Sequence, residues 1–193
     1  MSLKDKCAVT GVGETAYSKN SGKSVVALQM EASLKAIADA GLKPTDIDGV
    51  IPYGNLDVVA EEFITNLGIQ DLRFSATTPL GGASCVAAIQ AAVSALVTGV
   101  ANHVLIPIGR NGSSGERIGA RAADLPQFRT IGEFEMPSGN IAPPQIYAHM
   151  ARRHMEMYGT TSRQLAEIAV TVRSNAILND NAVMQNPMTI EDH

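Results

Sequence analysis

The residues best suited to chemistry stand together in one stretch, Gly81-Gly82-Ala83-Ser84-Cys85, where a hydroxyl and a thiol follow a glycine pair. A β-type run, Leu72 to Thr77, precedes the stretch, and the nearly uncharged run Ala87 to Thr98 follows it. This pattern predicts a strand, a tight turn and a buried helix. The first turn of a helix presents free backbone N–H groups and the positive end of the helix dipole, which favour a thiolate or an oxyanion. The candidate catalytic groups are therefore the Gly82 amide, the Ser84 hydroxyl and the Cys85 thiol.

The bulk composition limits the class of protein. The 193 residues are 45% hydrophobic with a net charge of −4, which is typical of a globular core with an appendage. No strongly basic patch is present, so a nucleic-acid partner is not expected. The longest nearly apolar run, Cys85 to Val97, is too short to cross a membrane. The two cysteines, Cys7 and Cys85, form neither a disulfide framework nor a metal cluster, so we expect a reducing, cytoplasmic location and no metal.

The order of the elements predicts an α/β fold. Four β-type runs, at 7–13, 50–53, 72–77 and 103–108, alternate with helical patterns, which indicates a mostly parallel sheet. The first helical pattern, Ser24 to Ala40, carries a charged stripe that we interpret as a solvent-facing side: Glu31, Lys35 and Asp39. The pair Gly11 and Gly13 is half of a dinucleotide-binding fingerprint, and we favour a plain turn at the end of a strand. Because no charge occurs from Gly82 to Thr98, we expect that helix to be buried on all sides, with one layer supplied from outside this sequence.

The composition changes after Ile108. A glycine-rich loop, 109–115, leads into a region with helices at 141–158 and from 161 onward, the latter beginning with a capping box of Thr161 and Gln164. We therefore predict two domains, an α/β core at 1–109 and a helical loop domain at 110–193. The last residues begin like another element, so we expect the chain to stop before a C-terminal half.

Several short sequence motifs, taken together in their order and spacing, give the chain a family resemblance. They are Val9-Thr10-Gly11-Val12-Gly13-Glu14-Thr15, Gly81-Gly82-Ala83-Ser84, Thr98-Gly99-Val100-Ala101, His154-Met155-Glu156-Met157-Tyr158-Gly159-Thr160-Thr161 and Asn186-Pro187-Met188-Thr189-Ile190-Glu191-Asp192. In these motifs the chain resembles the N-terminal half of thiolase-superfamily proteins of the sterol-carrier and lipid-transfer type. The resemblance implies a thiolase-like, five-layered α-β-α-β-α fold with sandwiched central helices, a coenzyme A thioester as substrate and no other cofactor. It also implies a dimer or tetramer with the strand Phe74 to Thr77 near the dimer interface.

The position of the nucleophile sets this chain apart from thiolases, whose nucleophilic cysteine opens the central helix in a Cys-x-[Ser/Thr]-Gly pattern. Counting back from Thr98-Gly99, the family's cysteine falls on Gly82, and the pattern's last three positions fall on Ala83, Ser84 and Cys85. Placing Cys85 in the nucleophile position would need a three-residue deletion in a helix with 3.6 residues per turn. We therefore predict a thiolase-like fold without the thiolase nucleophile, and Cys85 as a buried small residue.

Family members that lack the cysteine resemble retro-aldolases of steroid side-chain degradation, which cleave a β-hydroxyacyl-CoA and work with an OB-fold partner protein. The resemblance implies that their proton-transfer residues are tyrosines in a C-terminal half, so we expect residues 1–193 alone to be inactive. Two alternatives stay open: an acetyl-CoA acetyltransferase that uses Cys85, and a non-catalytic carrier of acyl-CoA or lipid. Four candidate substrate-binding residues share one helix, with the arginines meeting a CoA phosphate and the methionines lining an acyl pocket: Arg152, Arg153, Met150 and Met155.

Overall fold

A computed structural model describes residues 3–52, 58–115, 129–141 and 143–193 of the chain. The chain divides into two compact units. One consists of Met1–Ala16 and Gly22–Asn111, and the other of Tyr17–Ser21 and Gly112–His193.

A small parallel sheet forms the centre of the first unit. Its strands are β1 (Gly49–Val50), β2 (Phe74–Ser75) and β3 (Val104–Leu105), in the order β2-β1-β3. Both pairings are parallel, with Gly49 opposite Phe74 on one side and opposite Val104 on the other. The predicted α/β fold with a parallel sheet is confirmed at this level, with each strand shorter than the apolar run that predicted it. Tyr53, at the end of the second predicted run, lies outside the described residues.

Helices cover both faces of this sheet. The helices α1 (Val25–Asp39) and α2 (Ala60–Leu67) pack on one face, where Ile37 and Phe63 contact a core that includes Val50. The helix α3 (Ser84–Val97) packs on the other face, where Ala88 and Ala92 contact Ile51. This unit therefore has three layers, and the predicted start of α1 is confirmed because Ser24 Oγ accepts the N–H of Ala27 at 3.1 Å.

The N-terminal run 7–13 does not form a strand, so that part of the sequence prediction is wrong. The run lies against α1 instead: a Cβ on Gly11 would come within 2.2 Å of Ala36 O, and one on Gly13 within 2.3 Å of Ala32 O. The two glycines thus permit a close approach of two backbones, which explains the Gly-x-Gly pair without a nucleotide.

The charged stripe of α1 holds this N-terminal run in place. Asp39 accepts the N–H of Val12 at 2.9 Å, and Lys35 Nζ donates to Glu14 O at 2.9 Å and to Glu31 at 3.1 Å. Glu31 also accepts from Lys23. The hydrogen bonds from Lys23 and Lys35 lower the pKa of Glu31. The stripe is therefore only partly a solvent-facing side, because Lys35 and Asp39 bind the N-terminal run.

A buried carboxylate ties the strands together where they begin. Asp48 precedes β1 and is 8% exposed. Its side chain accepts the N–H of Asn102 at 2.8 Å, the Asn102 amide at 2.9 Å and the N–H of His103 at 2.8 Å. Its carbonyl accepts the N–H of Arg73 at 2.8 Å, next to β2. Burial raises the pKa of Asp48, but the bonds from His103 and Asn102 and the charge of Arg73 outweigh it, so the pKa is lowered.

The helix α3 is buried on one face and exposed on the other. Its buried residues recur at helical spacing and are small: Ser84, Ala88, Ala92 and Ala95. On the opposite side Val86 is 71% exposed and Ile89 is 50% exposed. The first unit covers only the small-residue face, which agrees with the expectation that this sequence supplies one layer, and burial of the opposite face stays a prediction.

The second unit contains two long helices, α4 (Pro143–Tyr158) and α5 (Ser162–Ala176). The predicted capping box at the start of α5 is confirmed: Thr161 Oγ1 accepts the N–H of Gln164 at 3.4 Å, and Gln164 Oε1 accepts the N–H of Thr161 at 2.8 Å. Before α4 the chain makes a π-helical turn, Ile131–Glu135, and a 3₁₀ turn, Met136–Ser138.

Candidate functional site

The candidate site is the turn that joins β2 to α3. A 3₁₀ turn, Gly81–Ala83, runs directly into the helix. Gly81 has φ of 61°, a left-handed conformation in which a glycine avoids strain. The turn is closed by Ala83 N–H, which donates to Leu80 O at 3.3 Å, and by Ser84 N–H, which donates to Gly81 O. None of these bonds uses the N–H of Gly82.

Gly82 lies in this turn with open space around it. Among the residues that the structure describes, a Cβ built on Gly82 meets no atom within 4 Å, and the φ of Gly82 lies outside the left-handed region. Neither crowding nor backbone strain therefore requires a glycine here. A side chain, including a thiol, would fit at position 82, and the chain carries none.

Ser84 is buried under the turn rather than exposed at its mouth. It is 2% exposed, and its Oγ accepts the N–H of Leu80 at 2.9 Å. The Ser84 carbonyl accepts the Thr78 hydroxyl at 3.0 Å. A nucleophilic serine needs an accessible oxygen beside a base. The geometry instead favours a structural task for this hydroxyl, which is to hold the two ends of the turn together.

Cys85 is a free, half-buried cysteine in the first turn of α3. It stands about 100° around the helix from the buried Ser84, between the sheet-facing side and the exposed side that carries Val86. Gly82, Ser84 and Cys85 are thus brought into one short segment, and each has different surroundings.

The four predicted substrate-binding residues all lie on α4, but not on one face. At about 100° per residue, Met150 is near Arg153, and Arg152 is near Met155 on the other side of the helix. Met150 is 62% exposed, and Met155 is half-buried. Arg152 forms an exposed ion pair with Glu156 at 3.5 Å. A single ligand lying along this helix could contact one of the two pairs, and the helix geometry does not favour contact with both.

The histidines of α4 are engaged separately. His149 Nε2 lies 3.0 Å from Asn140 Oδ1, and His154 Nδ1 lies 2.9 Å from Thr160 Oγ1. Within residues 3–52, 58–115, 129–141 and 143–193, no three His, Cys, Asp or Glu side chains come together as metal ligands. In the same ranges, no helix is both long enough and apolar enough to span a bilayer.

Two polar side chains whose contacts the structure shows, Thr78 and Gln29, were not identified in the sequence analysis. Thr78 supplies a hydroxyl to the turn, and its place directly before a proline gives no signal of that contact. Gln29, on α1, is fully buried; its Nε2 donates to Gly109 O at 3.3 Å, and its Oε1 has no partner among the described residues. Its position among apolar residues in an amphipathic helix was the only available signal.

Comparison with known proteins gives relatives of two kinds. The chain is 38% identical to a steroid side-chain-cleaving aldolase of Thermomonospora curvata, over 99% of the chain and 50% of that protein. It is 37% identical to the 17-hydroxy-3-oxo-4-pregnene-20-carboxyl-CoA lyase of Mycobacterium tuberculosis, over 99% of the chain and 51% of that protein. An acetyl-CoA acetyltransferase of Methanothermobacter thermautotrophicus is 30% identical over 95% of the chain and 48% of that protein.

A solved structure gives a similar result. A chain of the Ltp2-ChsH2(DUF35) aldolase superposes with a TM-score of 0.81 at 37% identity, over 96% of this chain and 47% of that one. No protein-family model matches the chain. The chain spans about half the length of the curated relatives it matches. It is therefore similar, over nearly its whole length, to one half of steroid side-chain-cleaving aldolases and, less closely, of acetyl-CoA acetyltransferases.

Proposed function

We propose that the chain is the N-terminal half of a thiolase-like enzyme that cleaves a carbon–carbon bond of a β-hydroxyacyl-CoA by a retro-aldol reaction. The observation that carries this proposal is Gly82, which stands without a side chain in an open turn where a cysteine would fit. The two relatives with the higher identities support it, since they are named as an aldolase and a lyase, one of them acting on a steroid acyl-CoA.

The retro-aldol reaction explains why the turn needs no nucleophile. A base accepts the proton of the β-hydroxyl, and the oxygen's electron pair forms a carbonyl as the bond between the α and β carbons breaks. The electron pair of that bond becomes the enolate of the departing acyl-CoA, which then takes a proton at the α carbon. No acyl group is transferred to the protein at any step. The group that must be stabilised is the enolate oxygen.

The Gly82 amide is our candidate donor to that oxygen. It stands at the positive end of α3, and the bonds that close the turn do not use it. Donors fixed before the reaction stabilise a developing oxyanion without reorganising. In this proposal Ser84 and Cys85 are not nucleophiles, and the proton-transfer groups lie outside residues 1–193.

The fold and the partners follow from the same proposal. The exposed apolar side of α3, with Val86 and Ile89, is the surface that a second half-molecule would cover in a five-layered thiolase-like fold. Among the described strands β2 and β3 each have a neighbour on one side only, and we propose that Phe74 to Thr77, the strand that the family resemblance places near the dimer interface, pair across a homodimer. We also propose a partner protein, with the OB fold that the family resemblance implies, because the name of the similar aldolase of known structure, Ltp2-ChsH2(DUF35), gives two components.

The test uses the full-length protein and residues 1–193 separately. Each is incubated with a β-hydroxyacyl-CoA and with acetyl-CoA, and released acyl-CoA is followed by chromatography while the intact protein is weighed by mass spectrometry. We expect the full-length protein to cleave the first compound without gaining mass, and residues 1–193 to be inactive. The variant Gly82→Cys should gain an acyl adduct at position 82, because the turn has room for a thiol beside a helix N-terminus.

Three other results contradict the proposal. An acyl adduct on Cys85 of the unmodified protein would assign it to the acetyltransferases. Binding of acyl-CoA without cleavage or adduct would leave a carrier. Turnover by residues 1–193 alone would show that the active site is complete without a second half.

A further inference from the structure

We infer that Ser84 and Thr78 are positioning residues, which set the direction of the Gly82 amide and do not themselves touch the substrate; this inference rests on the function proposed above. The contacts that carry it form a closed loop. Thr78 Oγ1 donates to Ser84 O at 3.0 Å, and Ser84 Oγ accepts the N–H of Leu80 at 2.9 Å. The same Leu80 N–H also donates to Thr78 O at 2.8 Å. The two hydroxyls therefore join both ends of the segment that contains Gly82.

Burial separates the Ser84 hydroxyl from the substrate side, and the half-buried Thr78 directs its hydroxyl to Ser84 O. Ser84 is 2% exposed on the sheet-facing side of α3, whereas Gly82 is exposed. A substrate that reaches the Gly82 amide from the open side does not meet the buried Ser84 hydroxyl, and the Thr78 hydroxyl is already engaged with Ser84 O. The hydroxyls can still act through the backbone, because Gly81 and Gly82 lack side chains that would restrict the turn. Without the two bonds, a segment with consecutive glycines is free to rotate its amides away from a single direction.

The test measures the direction of the turn through a thiol, so that it does not depend on the lyase activity. In the full-length Gly82→Cys variant, the rate of alkylation of the introduced thiol is followed against pH, and the modified position is assigned by peptide sequencing in a mass spectrometer. A thiol held at a helix N-terminus has a lowered pKa and reacts faster at neutral pH. Adding Ser84→Ala or Thr78→Val should slow its alkylation at pH 7 by about 3- to 5-fold. Thr78→Ser, which keeps the hydroxyl, should restore the rate to within about twofold.

The same substitutions in the unmodified Gly82 background test catalysis. Ser84→Ala and Thr78→Val should each lower kcat about tenfold, which is no more than the loss of kcat when an oxyanion donor is removed. KM should change less than about twofold. Ser94→Ala is the matched control, because it removes a hydroxyl that donates to Gln90 O within the same helix, away from the turn. The control should change neither rate.

The outcomes separate the two proposals. Unchanged thiol reactivity in both Ser84→Ala and Thr78→Val overturns the positioning role, whatever the protein catalyses. Slower alkylation in a protein that cleaves no β-hydroxyacyl-CoA overturns the retro-aldolase and keeps the role of the two residues in shaping the turn. If Ser84→Ala does not fold, Thr78→Val and its Thr78→Ser rescue decide the question by themselves.

Discussion

Replacement of the buried carboxylate Asp48 by Asn should destabilise the first unit by about 3–5 kcal/mol. Asp48 accepts three donors from Asn102 and His103. Hydrogen bonds to a charged group contribute about 1.5–3 kcal/mol each and neutral ones about 0.5–1.5, so neutralising the carboxylate weakens two of them by about 1 kcal/mol each. The side-chain NH₂ of the new Asn would also face a donor. Its own N–H, buried at position 48, would then lack an acceptor, which costs about 1–3 kcal/mol of stability. The free energy of unfolding is measured by urea denaturation followed by circular dichroism.

The matched control for this variant is Asp46→Asn. Asp46 is exposed and accepts the Lys43 N–H at 2.8 Å in the same loop, so its replacement should cost less than about 1 kcal/mol. Equal effects of the two substitutions would refute the claim that the bonds of Asp48 join the strands.

The pH dependence of the Asp48 effect gives a second check. The pKa of Asp48 is lowered in the folded protein, so its contribution is complete above the unfolded pKa of about 3.9 and is lost as the pH falls through the folded value. The difference in stability between the unmodified protein and Asp48→Asn should therefore be constant from pH 7 to about 5 and shrink below about pH 4. A difference that stays constant down to pH 3 would mean that the charge of Asp48 does not contribute.

Three further predictions concern other parts of the chain. Gly13→Ala should lower the free energy of unfolding by about 1–3 kcal/mol, because the new Cβ would lie 2.3 Å from Ala32 O. Gly82→Ala should change the free energy of unfolding by less than about 0.5 kcal/mol, and urea denaturation measures both variants. Arg153→Ala should raise KM for an acyl-CoA about 5-fold and leave KM for the 3′-dephospho analogue unchanged, because Arg153 is proposed to contact the CoA phosphate. The control Arg129→Ala, which removes an exposed ion pair with Glu133, should change neither KM. Ser75→Lys should weaken the proposed dimer at least tenfold in analytical ultracentrifugation, because like charges would meet across paired edge strands. Thr45→Lys, at an exposed residue in the 3₁₀ turn Pro44–Asp46, should leave the dimer unchanged.

Sequence patterns predicted those elements whose determinants are local. The capping box at Thr161 and the start of α1 at Ser24 depend on residues within one helical turn, and both are confirmed. The three strands of the sheet were predicted because each lies at an apolar run in the sequence. The run 7–13 has the same local character as the other strands, but a strand also needs a partner, and a partner cannot be read from the run itself.

The polar contacts of the fold could not be predicted, because they join residues far apart in the chain. Asp39 was expected to face solvent, and it accepts the N–H of Val12, 27 positions away. Asp48 bonds to Asn102 across 54 positions. Ser84 was a candidate nucleophile from its residue type, and only its burial and its bond to Leu80 indicate a different task. Spacing identifies which residues are candidates, whereas burial separates those that face a ligand from those that support the backbone.

The glycines show how much the structure adds to such a pattern. Gly11 and Gly13 are required because α1 passes too close for a Cβ, and Gly81 suits its left-handed conformation. Gly82 has neither constraint, so its lack of a side chain has no explanation in the backbone or in the packing of the described residues. A substitution there that leaves stability unchanged and alters the reaction must act through chemistry at the turn. Gly82 is therefore the position in this chain where a change in activity is least confounded by a change in fold.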